Sequence, residues 1–281
     1  MENINIVLAS DKNYLPYLEV TLKSLLAHHK NISVFILSTG DISKDWLLHK
    51  TPFFAKRNSK LFLANLDIKA IDKFKGNGYI SKATYLRYYI EDLFEYSDSP
   101  YWVYLDCDIL INGNITTPFI ENPPCSLMAV SDPYIMNQLP NHRFIYEDYF
   151  NAGVLYINSN YWNRNKQKLI YFTEKLQQEL MFGDQDILNF LFRNNWIKLN
   201  IEYNFQNNNL ILLDNPTTPK IIHFTGPIKP LADHQFSYAK DSVSLFRAYN
   251  NIHWDDIVNL PVGFFTLTLG QNETDRFKNF R

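Results

Sequence analysis

Cysteine is nearly absent from this 281-residue chain, which has two, Cys107 and Cys125. Each falls in a segment expected to be a strand, so both read as reduced, buried thiols of a reducing compartment rather than as a disulfide framework. Charge of one sign is lacking too. Lys and Arg number 27 and Asp and Glu 29, a net charge of −2, which gives no basis for a nucleic-acid or anionic-membrane surface. No apolar run reaches the roughly 18 residues that a membrane helix needs. The N-terminus has no basic region followed by a long apolar segment, so no signal peptide is expected and the location is expected to be cytoplasmic. Without an export signal, the sequons at Asn31, Asn114 and Asn272 read as chance matches. Internal repeats and low-complexity linkers are missing as well. The economical description is one main domain, residues 1–239, with a helical, aromatic extension over 240–281.

What the chain does have is apolar and aromatic mass. Hydrophobic residues make up 46%, enough for one substantial core, and the aromatic content of 16% suits either that core or stacking on sugar rings. The pattern alternates. Ile4–Ala9, Ile32–Leu37 and Lys60–Ala64 are short apolar runs that read as buried strands. Tyr14–His28 carries leucines at helical spacing, and Lys44–Lys56 looks helical with a break expected at Pro52. Further on, the spacing predicts a helix over Thr84–Phe94 and a strand over Tyr101–Ile111. Strands are also expected over Leu127–Val130, Asn151–Asn158 and Lys220–Phe224, and helices over Tyr161–Leu180 and Asp184–Arg193. Residues 134–148, polar and aromatic without a period, read as a long loop of the kind that often carries function. Strand–helix alternation of this sort predicts an α/β fold, a largely parallel sheet with helices on its faces.

The most informative stretch is Val103-Tyr104-Leu105-Asp106-Cys107-Asp108-Ile109-Leu110. On a strand, Asp106 and Asp108 would point to one side and Cys107 to the other. Two carboxylates at the end of a buried strand repel unless a cation lies between them, and hard divalent ions take such oxygen ligands. His223 ends the last apolar strand, and an imidazole with two carboxylates suits Mn²⁺. It is equally readable as a buried, hydrogen-bonded ring. Lys229, in a Gly/Pro-rich turn with Gly226, is either a point charge for phosphate or a surface lysine. Arg87 on a mostly apolar helix needs an anionic partner, either an internal acid or a ligand phosphate. Gly183-Asp184-Gln185-Asp186 reads locally as helix capping, with Asp184 near the start. Asp11 and Asn13 follow the first strand, where ligands gather in open α/β sheets.

Together these pieces resemble the family 8 glycosyltransferases. The matching blocks are Asp11-Lys12-Asn13-Tyr14, Ser81 to Arg87, Tyr104 to Asp108, Phe150 to Val154, Asp184 to Asn189 and His223 to Pro230, in the family's order over roughly residues 4–235. The resemblance implies a GT-A fold, a single Rossmann-like unit with a mixed, mostly parallel central sheet. It implies a Mn²⁺ or Mg²⁺ ion, a UDP-hexose donor carrying galactose or glucose, and transfer with retention of configuration. By position, Asp106, Asp108 and His223 resemble the metal ligands and Asp11 and Asn13 the uridine contacts. Arg87, Asn151 and Asp184 resemble donor-sugar and phosphate contacts, and Gly226 and Lys229 belong to the diphosphate turn. Gln185 matches the residue beside the reacting carbon, and Asp132 an acid near the acceptor. Leu231 stands where the family usually has Trp, and Tyr79 where some relatives have His. The acceptor implied is a glycan, such as a bacterial cell-surface polysaccharide or lipooligosaccharide, with at most peripheral association at the inner face of the membrane. An amide is a poor nucleophile, so retention through Gln185 favours a front-face reaction, with Asp132 the weaker nucleophile candidate.

Two rival readings stay open at this stage. Asp106-Cys107-Asp108-Ile109-Leu110 also resembles the first motif of haloacid-dehalogenase-type, Mg²⁺-dependent phosphatases. That reading is weakened because the acids follow the fourth expected strand and the segment before Gly183 is helical. The other rival is an inactive UDP-sugar-binding homologue, against which the retained Asp106, Asp108, His223, Lys229 and Gln185 argue.

Overall fold

The computed structural model describes residues 4–67, 69–75, 82–162, 164–207, 217–233 and 239–269. Tyr79 and the tail beyond Leu269, Asn272 included, lie outside the described residues. In chain order the elements begin with β1 (Ile4–Ala9), α1 (Leu15–His28), β2 (Ile32–Ser38), α2 (Lys44–Lys56), β3 (Lys60–Asn65) and α3 (Lys69–Asp72). A 3₁₀ helix over Lys82–Tyr96 leads to β4 (Tyr101–Leu105), β5 (Ile109–Ile111), α4 (Pro118–Glu121), β6 (Leu127–Ala129) and α5 (Pro133–Gln138). There follow β7 (Val154–Asn158), a 3₁₀ turn at Ser159–Tyr161, α6 (Asn165–Leu176), α7 (Asp184–Phe192) and β8 (Ile197–Lys198). A 3₁₀ turn at Ile201–Asn204, β9 (Phe205–Gln206), β10 (Ile221–His223), α8 (Lys240–Asn251) and α9 (Trp254–Asn259) complete the order.

Seven strands form one sheet in the order β3-β2-β1-β4-β7-β6-β8. The β3-β2-β1-β4 half is wholly parallel, and β7 is antiparallel to both its neighbours, which makes the sheet mixed and mostly parallel as expected. Within the parallel half, β1 and β2 are buried on both faces, which explains their unbroken apolar runs, whereas β3, at the sheet edge, is not the buried strand expected, since Lys60 and Phe62 are exposed. A second sheet, β5-β10-β9, has β5 antiparallel to β10. The order reverses between β1 and β4, because the chain leaves β1 toward β2 and returns on the other side. Open α/β sheets bind ligands at the carboxyl ends of strands at such a reversal.

Three further local expectations are corrected. Tyr101–Ile111 is not one strand: it breaks after Leu105, and Asp106-Cys107-Asp108 form the turn by which the chain passes from the large sheet to the small one. The side-chain alternation invoked for the two acids therefore does not apply. Pro52 does not break α2, because the carbonyl it leaves unpaired is that of Leu48, on a face where Leu48 is 68% exposed and water can take it. Residues 134–148 are not wholly loop, since Pro133–Gln138 forms α5, capped by the Asp132 side chain on Ile135 N at 3.2 Å. The 82–96 helix is of the 3₁₀ kind and long for one. Its three-residue turn sets Arg87 over Thr84, whose carbonyl takes the Arg87 Nε–H at 3.0 Å.

Residues from α8 and α9, including Val243, Phe246, Tyr249 and Ile257, share the apolar cluster of β1 and α1. Lys23 of α1 joins these elements by donating its ammonium hydrogens to the carbonyls of Tyr249, Asn250 and Ile252 at 2.7–3.1 Å, around the end of α8. Beside it, at the end of α1, His28 and His29 are both buried, and burial lowers each imidazole from 6.5 to about 4. The unfolded chain binds these two protons below pH 6.5 and the folded chain does not until near pH 4. Their stabilising contribution is thus complete above pH 6.5 and lost as the pH falls toward 4. At about 1.4 kcal/mol per pH unit this amounts to about 3 kcal/mol for each ring. Urea unfolding between pH 7 and 4.5 should show this loss, and His28→Leu should flatten the profile; an equally steep profile in the variant would contradict it.

Candidate active site

The Asp106-Cys107-Asp108 turn is held from four directions. Asp106 N donates to Gly153 O at 2.8 Å, before β7, and Phe224 N donates to Asp108 O at 3.1 Å, after β10. The buried Thr21 hydroxyl of α1 lies 2.6 and 2.7 Å from the carbonyls of Cys107 and Ile109. Cys107 turns away from the two acids and its Sγ donates to Ala9 O at 3.1 Å, and burial raises this thiol well above its ordinary range. Cys125 is a free, half-buried thiol outside any strand.

Held in this way, the turn brings Asp106 and Asp108 to His223. One ligand atom from each lies within 4.8 Å of the other two, the one such cluster among the described residues. His223 Nε2 is 3.5 Å from Asp108 Oδ1 and 3.8 Å from Asp106 Oδ2. The orientation of the ring follows from its neighbours. The backbone N–H of Gly153 can only donate, so the Asn151 atom 3.0 Å from it is Oδ1. The Asn204 atom 2.9 Å from that oxygen is then Nδ2, which leaves Asn204 Oδ1 facing His223 Nδ1 at 3.0 Å. Nδ1 carries a hydrogen and donates it to Asn204 Oδ1, which sets Nε2 facing the two carboxylates. Three electron-rich groups converging on one point fit a divalent cation of the kind that accepts both nitrogen and oxygen.

Charges around the cluster are arranged in opposition. Lys229 Nζ pairs with Asp108 Oδ2 and donates to Phe224 O at 2.9 Å. Burial alone would raise the Asp108 carboxyl, but Lys229 and His223 outweigh it and hold it well below the usual range. Arg87 is buried and reaches Asp106 Oδ1 at 2.9 Å, Asp184 Oδ2 at 2.8 Å, Thr84 and the Ala152 carbonyl. Its guanidinium carbon also lies 4.5 Å from the Tyr104 ring centre, and the Tyr104 hydroxyl donates to Asp106 Oδ1 at 2.9 Å. Of the two partners the sequence allowed for Arg87, these contacts supply the internal acids. Asp184 does not cap α7, where Gly183 takes that place; its carboxylate accepts from Thr84 Oγ1 at 2.7 Å, and burial pushes it up to about 6.

All of this lines a cleft of about 470 Å³ that includes Asp11, Thr84, Arg87, Asp106, Asp108, Asp132, Asn151, Asp184, Gln185, His223, Gly226 and Lys229. Asn13 is exposed and does not line it; its backbone N–H donates to Asp11 Oδ1 at 2.8 Å. Asp132 is buried, and burial raises its carboxyl; it accepts from Asn151 Nδ2 at 3.2 Å and Gln185 Nε2 at 3.4 Å. Gln185 Oε1 accepts the Ala152 N–H at 2.9 Å. Leu231, in the position usually held by Trp, packs against the core, and Arg247 of α8 ties its turn by donating to the carbonyls of Pro230 and Ala232.

Several residues that shape the site carry no sequence signal strong enough to select them. Thr21 and Asn204 are two. Gly153 is the third: a Cβ there would lie 2.2 Å from His223 Cε1 and 2.7 Å from Asp106 Oδ2, so the cluster can close only around a glycine. A glycine before an apolar run could have been read as a close approach rather than a turn.

The mixed, mostly parallel sheet with its flanking helices is the GT-A architecture. The chain belongs to glycosyl transferase family 8, whose sequence profile matches residues 5–234. Among its relatives, glycosyltransferase GlyF of Streptococcus pneumoniae is 29% identical over 90% of this chain and 63% of its own length. A probable glycosyl transferase of Streptococcus gordonii is 29% identical over 91% of this chain but 36% of its own length. The chain thus spans between about a third and just under two thirds of these relatives. Among solved structures, GlyE of S. pneumoniae superposes with a TM-score of 0.72 at 25% identity, over 92% of this chain and 63% of that one. The galactosyltransferase LgtC, solved with donor and acceptor sugar analogues, gives 0.77 at 24%, over 88% and 95%.

If Gly153 is what lets the cluster close, Gly153→Ala should weaken Mn²⁺ binding by at least about 10-fold, the cost of disturbing a ligand's supports. Titration calorimetry with MnCl₂ measures this directly; an unchanged affinity would show that the cluster tolerates the side chain.

Proposed function

We propose that the protein transfers a hexose, galactose or glucose, from a UDP-sugar to a hydroxyl of a glycan acceptor, with retention of configuration. Residues 1–239 would carry the chemistry and the segment from 240 would brace it. The observation that carries the reading is the convergence of Asp106, Asp108 and His223 beside Lys229, in a cleft at the carboxyl ends of β1 and β4. Family membership and the GT-A architecture support it. The name of LgtC, a galactosyltransferase, supports galactose as one donor to test.

The difficult event is departure of the nucleoside diphosphate, which builds negative charge. The chemistry a divalent cation supplies when bound at Asp106, Asp108 and His223 is Lewis-acid neutralisation of that charge. Lys229 adds a second positive charge in the same turn. Asp11, at the cleft wall, holds the uridine, and Asn151, Asp184 and Arg87 fix the sugar, the last largely by orienting Asp184 and Asp106 through its ion pairs. In the front-face reaction the bond from the anomeric carbon to the diphosphate breaks, and the acceptor oxygen bonds to that carbon on the same side. The acceptor proton passes to the departing phosphate oxygen. Gln185, held at both ends by Ala152 N and Asp132, presents an amide dipole to the positive charge that develops on the sugar. Asp132 suits a nucleophile poorly, because its carboxylate already accepts from Ile135 N, Asn151 and Gln185. A phosphatase reading fits less well, since the acids follow the fourth strand and a helix, α6, rather than an apolar strand precedes Gly183.

A panel of UDP-sugars with Mn²⁺, scored by UDP release and followed by acceptor screening, tests the reading. Release should depend on Mn²⁺ and on one hexose donor, and Asp108→Ala should abolish it. UDP binding without release from any donor would instead support the inactive homologue, and release of phosphate from simple esters alone the phosphatase. Gln185→Ala should lower turnover by about 100-fold, the usual scale for removing one electrostatic stabiliser; near wild-type turnover would sink the role given to Gln185.

A further inference from the structure

We infer that Asn204 is a positioning residue that couples the metal-binding half of the cleft to its sugar-binding half. The inference rests on the proposed transfer reaction. Asn204 is fully buried and does not line the cleft, so it acts only through other residues. It sits at the end of the 3₁₀ turn Ile201–Asn204, directly before β9, which pairs with β10 and so lies beside His223.

Its amide has two ends with two different tasks. Oδ1 accepts the His223 Nδ1 hydrogen at 3.0 Å, which sets Nε2 facing the cluster of Asp106 and Asp108. Nδ2 donates to Asn151 Oδ1 at 2.9 Å. Asn151 Oδ1 also accepts the Gly153 N–H, so Asn151 must turn its own Nδ2 to Asp132 Oδ2, at 3.2 Å. Asp132 Oδ2 in turn takes Gln185 Nε2 at 3.4 Å. The chain His223–Asn204–Asn151–Asp132–Gln185 has one direction of donation from the ring to the acid, with Gln185 meeting it from the far side. Asn204 itself is fully buried and off the cleft, so its two links lie where an unpaired polar group is costly. The tautomer of His223 and the orientation of Asn151 are therefore set by one side chain. Glutamine would be too long for a gap closed at both ends, and an acid satisfies only one of the two tasks.

That division gives the test. Asn204→Asp keeps an acceptor on His223 Nδ1, an arrangement that commonly supports metal-bound histidine. It also sets a carboxylate oxygen against Asn151 Oδ1, which breaks the second link. Asn204→Leu removes both links. Calorimetric titration with MnCl₂ at pH 8, the rise in melting temperature that Mn²⁺ produces, and steady-state UDP release together separate the effects. The expected result is Mn²⁺ affinity in Asn204→Asp within about threefold of wild type, with kcat down about 10-fold or more. In Asn204→Leu, Mn²⁺ affinity should fall by about 10- to 100-fold and the metal-induced rise in melting temperature should shrink with it. Both variants binding Mn²⁺ and turning over as wild type does would overturn the inference. So would a loss of affinity in Asn204→Asp that matches its loss of turnover, the mark of a merely structural residue. Should Asn204→Leu fail to fold, the split in Asn204→Asp decides alone. If the wild type binds Mn²⁺ but releases no UDP from any sugar, the transfer reading fails, and the affinities of the two variants still judge the role of Asn204 on His223.

Discussion

Two carboxylates and an imidazole nitrogen are turned toward one another in one corner, and two carboxylates so placed are stable only with positive charge between or against them. The fold answers with cations on each side. Lys229 stands against Asp108, and Arg87 against Asp106 and Asp184. A metal ion at the shared point would complete the neutralisation. The surrounding geometry serves this corner: the break between β4 and β5, the glycine at 153, the Thr21 hydroxyl under the turn and the directed chain through Asn204.

The second sheet and the C-terminal helices acquire their purpose from the same constraint. His223 comes from β10, which reaches the turn only because β5 leaves the large sheet to pair with it. Lys229 hangs on the turn after β10, and that turn is fastened by Arg247 of α8 through Pro230 and Ala232. α8 in turn is fastened to α1 by Lys23. A residue that supplies charge to the cleft is thus braced by helices well away from it. Through Arg247, α8 is tied to the turn that carries Lys229.

Much of this was legible in the order of residues. Apolar runs marked β1, β2 and β4, because those strands are buried on both faces and have no polar side to interrupt them. Asp106, Asp108, His223 and Lys229 stood out because charged or titratable groups beside such runs need partners. Alternation along a strand does not account for the two acids: the chain turns between them, and it is the turn that swings both toward His223. Thr21 and Asn204 were not legible, and Gly153 only as a member of the Phe150 to Val154 block, since each acts through a contact that only the fold creates. Pro52 misled because a local rule about helix interiors gives way where the affected carbonyl meets water.

The central claim is that one divalent ion sits among Asp106, Asp108 and His223. Crystals soaked with MnCl₂ and UDP, with anomalous scattering recorded at a wavelength that excites manganese, test this most directly. The account predicts one strong anomalous peak within coordinating distance of His223 Nε2 and a carboxylate oxygen from each acid. An empty cluster, or manganese bound elsewhere in the cleft with Lys229 still closed on Asp108, would contradict it.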